Sequence, residues 1–178
     1  RNQPNASVNV LYGRTGIFFT NQPTAVLRKF PALEASVPER PLGSLPAYFS
    51  IDSGLTGIAR RDASIDTPVF VERYDLHPAI EIPVLRSNAV DWSNTFGVRE
   101  TVYTHSLEPI GLTGALNRLS FDYTSNFVGP PLERDFGKWR HVVEPSIDYR
   151  YLTGADRLRH TIVVDDVDLI TNTNEVEY

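Results

Sequence analysis

The stretch RYDLHPAIEIPVL, residues 73–85, alternates with a period of two between apolar and polar side chains. One side carries Tyr74, Leu76, Pro78, Ile80, Ile82 and Val84, and the other carries Asp75, His77, Ala79 and Glu81. This alternation is typical of a β-strand with one apolar and one polar face. Pro78 and Pro83 each remove a donor from the hydrogen-bond ladder. Pro78 lies in mid-strand, where we interpret it as a local weak point in the ladder, with an ordinary bulge as the alternative.

The same alternation recurs along the chain, and helical periodicity is repeatedly interrupted by proline or glycine. The recurring stretches are 47–60, 90–104, 118–127 and 143–151, with weaker candidates at 6–12, 16–20 and 27–37. Strand centres recur roughly every 20 to 25 residues, whereas soluble β-sandwiches place turn signals every ~8 to 12. A tilted strand crosses a bilayer in ~9 to 11 residues. The sequence therefore predicts an all-β fold: an antiparallel transmembrane β-barrel segment of roughly seven to nine long, meandering strands.

Composition narrows the possible functions. The 178 residues contain no Met and no recognisable leader, so we expect a piece of a longer chain, with residues 1–178 forming part of one outer-membrane β-barrel domain. The net charge is -5 and the cations are dispersed, which argues against a nucleic-acid partner. The absence of Cys excludes thiolate chemistry and Cys-based metal sites. No apolar run reaches the ~18 residues of a transmembrane helix.

The lengths of the connections predict which membrane side each one faces. Barrels of the bacterial outer membrane have short periplasmic turns and longer outer loops. The short RSNA turn, 86–89, is therefore predicted at the periplasmic rim, and the longer links 61–70, 105–116 and 152–174 at the outer surface. The link 127–141 falls on the periplasmic side although it is long.

Aromatic side chains lie near both ends of the predicted strands. Trp92 and Phe127 fall near the periplasmic ends, and Tyr74 and Tyr151 near the opposite ends. Rings at both edges of an apolar band are typical of a bilayer's two interfaces. Aromatic residues are also simply good strand formers, and this alternative remains open.

Candidate chemical groups do not form an enzyme motif. The chain lacks G-x-S-x-G, P-loop and H-E-x-x-H patterns, so we predict no enzymatic activity and no cofactor. The four histidines, His77, His105, His141 and His160, have no metal-ligand spacing. The acidic stretch VVDDVDL supplies Asp165, Asp166 and Asp168, which could hold a divalent cation, although a solvated loop is the favoured interpretation.

The predicted inward-facing polar side chains are mixed in sign, as expected for a hydrated lumen. They are Asp75, His77, Glu81, Arg99, Arg118, Asp122, Glu144, Asp148 and Arg150. A charge of this kind facing lipid at mid-bilayer would cost about 2–4 kcal/mol.

Three phrases together resemble the barrel region of a known family. They are FPALEASVPERPLGSLPAYFSIDSGLTGIARRD (30–62), RYDLHPAIEIPVL (73–85) and SFDYTSNFVGPPLERDFGKWRHVVEPSIDYRYL (120–152). They are similar to the R-x-D-x-x-P strand, G-P turn and H-x-x-E-P-x-x-x-Y strand of LptD, the lipopolysaccharide-assembly outer-membrane proteins, also called the organic solvent tolerance family. The matching residues are Arg73, Asp75, Pro78, Gly129, Pro130, His141, Glu144, Pro145 and Tyr149.

The resemblance implies a function for the whole protein of which this chain would be barrel wall. It implies a protein in the outer membrane of a Gram-negative bacterium that receives lipopolysaccharide from periplasmic bridge proteins and inserts it into the outer leaflet among the outer-membrane lipids. It also implies a lipoprotein plug, LptE, inside the barrel. Two alternatives remain: a soluble cell-surface β-sandwich binding module, and a passive porin or receptor barrel.

Overall fold

Antiparallel β-structure makes up most of the part of the chain that the structure describes. The computed structural model describes residues 6–17, 24–62, 66–67, 70–108 and 111–178. Eight strands form one sheet, in the order β1-β2-β3-β4-β5-β8-β11-β12. Their bounds are Ser7–Ile17 (β1), Ala25–Pro41 (β2), Tyr48–Arg61 (β3), Val71–Arg86 (β4), Asp91–Tyr103 (β5), Leu116–Val128 (β8), Ser146–Thr153 (β11) and Thr173–Glu177 (β12). This confirms the prediction of an antiparallel all-β fold.

Two small hairpins and one short helix complete the described structure. They are β6 (Leu107–Glu108) with β7 (Gly111–Leu112), β9 (Leu132–Phe136) with β10 (Trp139–Val143), and the 3₁₀ turn Leu158–His160. The described residues include no helix that is long and apolar enough to cross a membrane.

The strands of the main sheet run up and down, so its connections fall at two ends. Residues 42–47 and 87–90 close tight turns at one end, through hydrogen bonds from Leu42 N to Ala47 O and from Ser87 N to Val90 O, both 2.9 Å. The β9–β10 hairpin lies in the link at this short-turn end, where the sequence predicted a long connection. The opposite, long-loop end carries the links between β3 and β4, β5 and β8, and β11 and β12.

Of the two interpretations of Pro78, the bulge is wrong and the local weak point in the ladder is confirmed. Pro78 stays in register opposite Ile51 of β3, and the pairing of β4 with β5 has the same offset before and after it. The irregularity in the β4–β5 ladder lies between Pro83 and Leu85 instead. Proline lacks the amide donor that a ladder needs, but β4 accommodates Pro78 by omitting pairings to β5 at residues 77–78 without inserting a residue.

Alternation places apolar and polar side chains on opposite faces of the sheet, and the apolar face is the uncovered one. We call it the outer face; its exposed members include Leu76, Ile80, Ile82, Val84, Trp92, Phe96, Val98, Leu119, Phe121, Ile147 and Tyr151. The opposite, inner face carries Arg73, Asp75, His77, Arg99, Thr101, Arg118 and Asp122, all buried or half-buried. A water-soluble sheet normally shows the reverse arrangement.

Residues 154–172, which we call the cover segment, lie across the inner face at the long-loop end. The segment begins at Gly154, whose φ of +82° is in the left-handed region that glycine tolerates. Its Ile162 packs into a small core with Ile58, Val71, Tyr103 and Leu116. The sequence predicted these residues in a link at the outer surface, but the apolar Ile162 and the buried partners of Asp168 bring the segment onto the sheet.

Gly57 provides a direct test of packing at the outer face. A Cβ at this position would lie 2.3 Å from the backbone oxygen of Phe30. Relieving that contact would require the backbone of β2 to move, which is energetically costly. We expect Gly57→Ala to lower the free energy of unfolding by about 1–3 kcal/mol, as overpacking does. Denaturant titration of the variant and of the unchanged protein measures this.

Gly54→Ala is the matched control in the same strand. Its Cβ would meet nothing closer than 3.8 Å, so we expect no loss of stability. Equal unfolding midpoints for the two variants would contradict the close approach of β2 to Gly57.

Candidate functional site

Pairs of polar side chains from different strands organise the inner face. Asp75 of β4 accepts hydrogen bonds from Arg99 Nη1 and Thr101 Oγ1 of β5, each at 2.7 Å. Further along the face, His77 Nε2 lies 2.9 Å from Asp122 Oδ1. These contacts give the inner-face polar groups hydrogen-bond partners, which allows a polar surface to be half-buried.

Gly97 makes room for the His77–Asp122 pair. A Cβ at Gly97 would lie 2.3 Å from Asp122 Oδ2, so any larger residue would displace that carboxylate. The requirement at this glycine is therefore space next to a charged side chain, since its backbone angles are ordinary for a strand.

Two aspartates of the cover segment fix it to the sheet. Arg73 donates to Asp165 through Nη1 (2.6 Å) and Nη2 (2.8 Å), and its Nη1 also contacts Asp168 Oδ1 at 2.8 Å. Lys29 of β2 binds Asp165, and the Tyr103 hydroxyl donates to Asp168 at 2.7 Å. We call these five residues the aspartate latch.

The aspartate latch is largely buried, so its charged side chains need partners of opposite charge. Arg73 is 6% exposed and Asp168 is 0% exposed. Burial alone would raise the pKa of Asp165, but its hydrogen bonds to Arg73 and Lys29 outweigh burial and hold that pKa well below its ordinary value. Asp165 is therefore ionised at neutral pH.

Two further arginines of the sheet donate hydrogen bonds to backbone carbonyls of the cover segment. Arg118 of β8 donates to Asp156 O (3.1 Å), Asp168 O (3.1 Å) and Ile170 O (2.6 Å). Arg60 of β3 donates from Nη1 to Val163 O at 3.0 Å. The segment is thus held to the sheet along its length.

A cavity of about 340 Å³ lies between the inner face and the cover segment. Its lining includes Glu34, Asp52, Asp75, Arg73, Arg99 and Val167. The mixture of acids and bases suits water and a charged, hydrated solute, whereas an apolar ligand would find few partners there.

The favoured expectation of a solvated acidic loop is wrong for two of its three aspartates. Asp165 and Asp168 are engaged by Arg73, Lys29 and Tyr103, and Asp166 alone is exposed. Within the described ranges, no group of three or more acidic or histidine side chains has a metal-binding arrangement.

The family-pattern residues do not gather into one site. Arg73 and Asp75 lie on the inner face, while Pro78 faces Ile51 in the ladder. Gly129 follows β8 and Pro145 precedes β11. A hydrogen bond from Gly129 N to Pro145 O at 2.8 Å joins them next to the last pair of the β8–β11 ladder. The remaining members are Pro130 beside this contact, His141 in β10, Glu144 next to Pro145, and Tyr149 in β11.

Other predicted inner-face residues also have partners. Asp148 accepts a hydrogen bond from Asn126, Arg150 faces Glu175 at 4.0 Å, and Glu81 lies 3.5 Å from Arg86. Sequence reasoning missed Lys29 and Tyr103 because nothing in their local pattern distinguishes them from other strand residues. Their role becomes visible only when the cover segment is placed against the sheet.

Comparison with known proteins adds no relative. No family model matches the chain, and neither a curated protein nor a solved structure shows significant similarity to it. A functional assignment must therefore be argued from the residues and their arrangement.

Arg73→Met tests the aspartate latch. The substitution leaves Asp165 and Asp168 buried beside an apolar side chain, and removing one partner of a buried ion pair costs about 3–5 kcal/mol. We expect the cover segment to detach, so that backbone amides of residues 161–169 lose protection from hydrogen exchange while β8 keeps its protection.

Arg86→Met is the control. Arg86 is exposed and its two carboxylate contacts are 3.5 and 3.7 Å long, so its loss should leave the cover segment protected. The latch would be disproved if both variants kept the same exchange rates over 161–169.

Proposed function

We propose that this chain forms part of the barrel wall of an outer-membrane transport protein that inserts lipopolysaccharide into the outer leaflet. The observation that carries the proposal is the inverted burial of the main sheet. Large apolar side chains such as Phe121, half exposed, lie uncovered, whereas Arg73 and Arg118 are buried on the opposite face. Hydrocarbon outside and water inside is the environment in which this arrangement is stable.

The dimensions of the outer face fit a bilayer. Its apolar row runs from Leu76 to Val84 on β4 and from Leu119 to Phe127 on β8, close to the ~9–11 residues of a tilted transmembrane strand. Trp92 and Phe127 pair at the short-turn end of this row. Glu100 lies opposite Leu76 and Leu119 at the long-loop edge of this row, and Glu72 lies beyond it, where charge costs less than at the midplane.

The open edges of the sheet support a larger assembly. β1 and β12 are its two edge strands. Unpaired backbone groups are costly in hydrocarbon, so a membrane sheet must continue until it closes. We propose that further strands complete the barrel on both sides.

Lipopolysaccharide as the cargo is supported by the resemblance to the LptD family and by the polar interior. An amphiphile with a charged sugar region and acyl chains needs a hydrated path next to an apolar exterior. The mixed charges of the cavity, including Asp52, Asp75 and Arg99, suit the sugar region. LptE as the plug and periplasmic bridge proteins as donors belong to the same proposal.

A passive porin or receptor barrel is the second candidate. The cover segment supports this candidate, because a segment that lies across the lumen would narrow the diffusion channel and so limit which solutes pass. A soluble β-sandwich is less well supported. Its apolar face would need a second sheet, and the other sheets within the described ranges are two-stranded hairpins.

Photo-cross-linking in cells tests the cargo. A photoreactive amino acid in place of Asp52, which is exposed and lines the cavity, should capture lipopolysaccharide during its transport. The same substitution at Phe127, on the outer face at the short-turn end, should capture phospholipid instead. Failure to capture lipopolysaccharide at Asp52, or equal capture at both positions, would favour the passive barrel.

A further inference from the structure

The β9–β10 hairpin projects from the short-turn end, and no other segment among the described residues covers it. It forms its own two-stranded sheet, and all ten residues of its strands are exposed. Trp139, at its tip, is 79% exposed. An isolated two-stranded hairpin is only marginally stable in water, so we expect its exposed apolar side chains to pack against another surface.

The two faces of this hairpin differ in chemistry. Cross-strand pairing places three pairs on one face, which we call the aromatic–cationic face: Leu132 with Val143, Arg134 with His141, and Phe136 with Trp139. The opposite face carries Glu133, Asp135, Arg140 and Val142, with an ion pair between Glu133 and Arg140. The two faces therefore differ: one carries the rings of Phe136 and Trp139 together with Arg134, and the other carries Glu133, Asp135 and their partner Arg140.

The hairpin follows β8 and precedes β11 at the short-turn end of the main sheet. The ladder extends past β8 and β11 through Gly129 and Pro145. Residues 130, 131 and 144 separate this contact from the first pair of the hairpin, Leu132 with Val143. Val143 therefore lies close in sequence to Ile147 of the outer face.

We propose that the aromatic–cationic face of the β9–β10 hairpin docks on the anionic phospholipid headgroups at the short-turn rim of the barrel. Trp139 and Phe136 provide amphipathic rings of the kind that settle at a bilayer interface. Arg134 lies with its guanidinium carbon 5.1 Å from the Phe136 ring centre, and Lys138 adds a second cation at the tip. The docking rests on the proposed membrane position of the main sheet.

Charge and continuity together favour lipid over a protein partner. Anionic headgroups complement Arg134 and Lys138, and the same bilayer would already contact Ile147 on the adjoining outer face. The acidic side chains Glu133 and Asp135 lie on the hairpin's other face, which would remain in water.

The two tryptophans of the chain, Trp92 and Trp139, allow the two membrane claims to be tested separately. The full chain is reconstituted in vesicles of phosphatidylcholine with phosphatidylglycerol. In Trp92→Phe, we expect Trp139 fluorescence to shift to the blue, to be quenched by headgroup-labelled nitroxide lipid and to be shielded from iodide. In Trp139→Phe, quenching of Trp92 by nitroxide lipid reports the main sheet.

A charge variant in the Trp92→Phe background tests the anionic headgroups. Arg134→Gln with Lys138→Gln should lower the ratio of docked to undocked hairpin by about fivefold per cation, the scale for a cation at an anionic bilayer surface. Vesicles of phosphatidylcholine alone should reproduce that loss without any substitution.

The possible failures are distinguishable. If iodide quenches Trp139 as fully as free tryptophan while lipid quenches Trp92, the docking is wrong, the barrel proposal stands and a protein surface becomes the better partner. If lipid quenches neither tryptophan, both proposals are overturned.

Discussion

The strict alternation of side chains along a β-strand is the constraint on which this structure depends. Each strand must present one row to each face, so a sheet that carries Arg73, Asp75 and Arg118 on one face commits the other face to Ile80, Phe121 and their neighbours. A few charged residues therefore orient the whole sheet. Since a charge costs a few kcal/mol at mid-bilayer, the polar face of a membrane sheet must be the internal one.

Covering that polar face creates a second requirement, because buried charges must be paired. The cover segment supplies Asp165 and Asp168 to Arg73, and its carbonyls supply acceptors to Arg118. Buried ion pairs contribute little net stability but are costly to break, so their main effect is to fix position. The aspartate latch would in this way set both the place of the cover segment and the size of the cavity below it.

The strands could be predicted from the sequence because their signal is local. Period-two alternation located the long strands, and the tight RSNA turn followed from the interval between two of them. The cover segment could not be predicted in the same way, since Arg73 meets Asp165 across more than ninety residues of chain. The β9–β10 hairpin was missed because its residues follow the glycine and prolines at 129–131, which indicate a loop. At Pro78 the general rule that mid-strand proline accompanies a bulge failed, because the ladder tolerated missing pairings.

The most direct measurement of the central claim is a comparison of nitroxide accessibility on the two faces of the sheet in lipid bilayers. Labels at Phe121, Ile147 and Ile80 should be relaxed by oxygen, which concentrates in hydrocarbon, whereas labels at Asp122 and Asp148 should be relaxed by a water-soluble nickel chelate. The same response from both sets, or apolar positions reached by neither reagent as in a dry centre between packed sheets, would contradict the account.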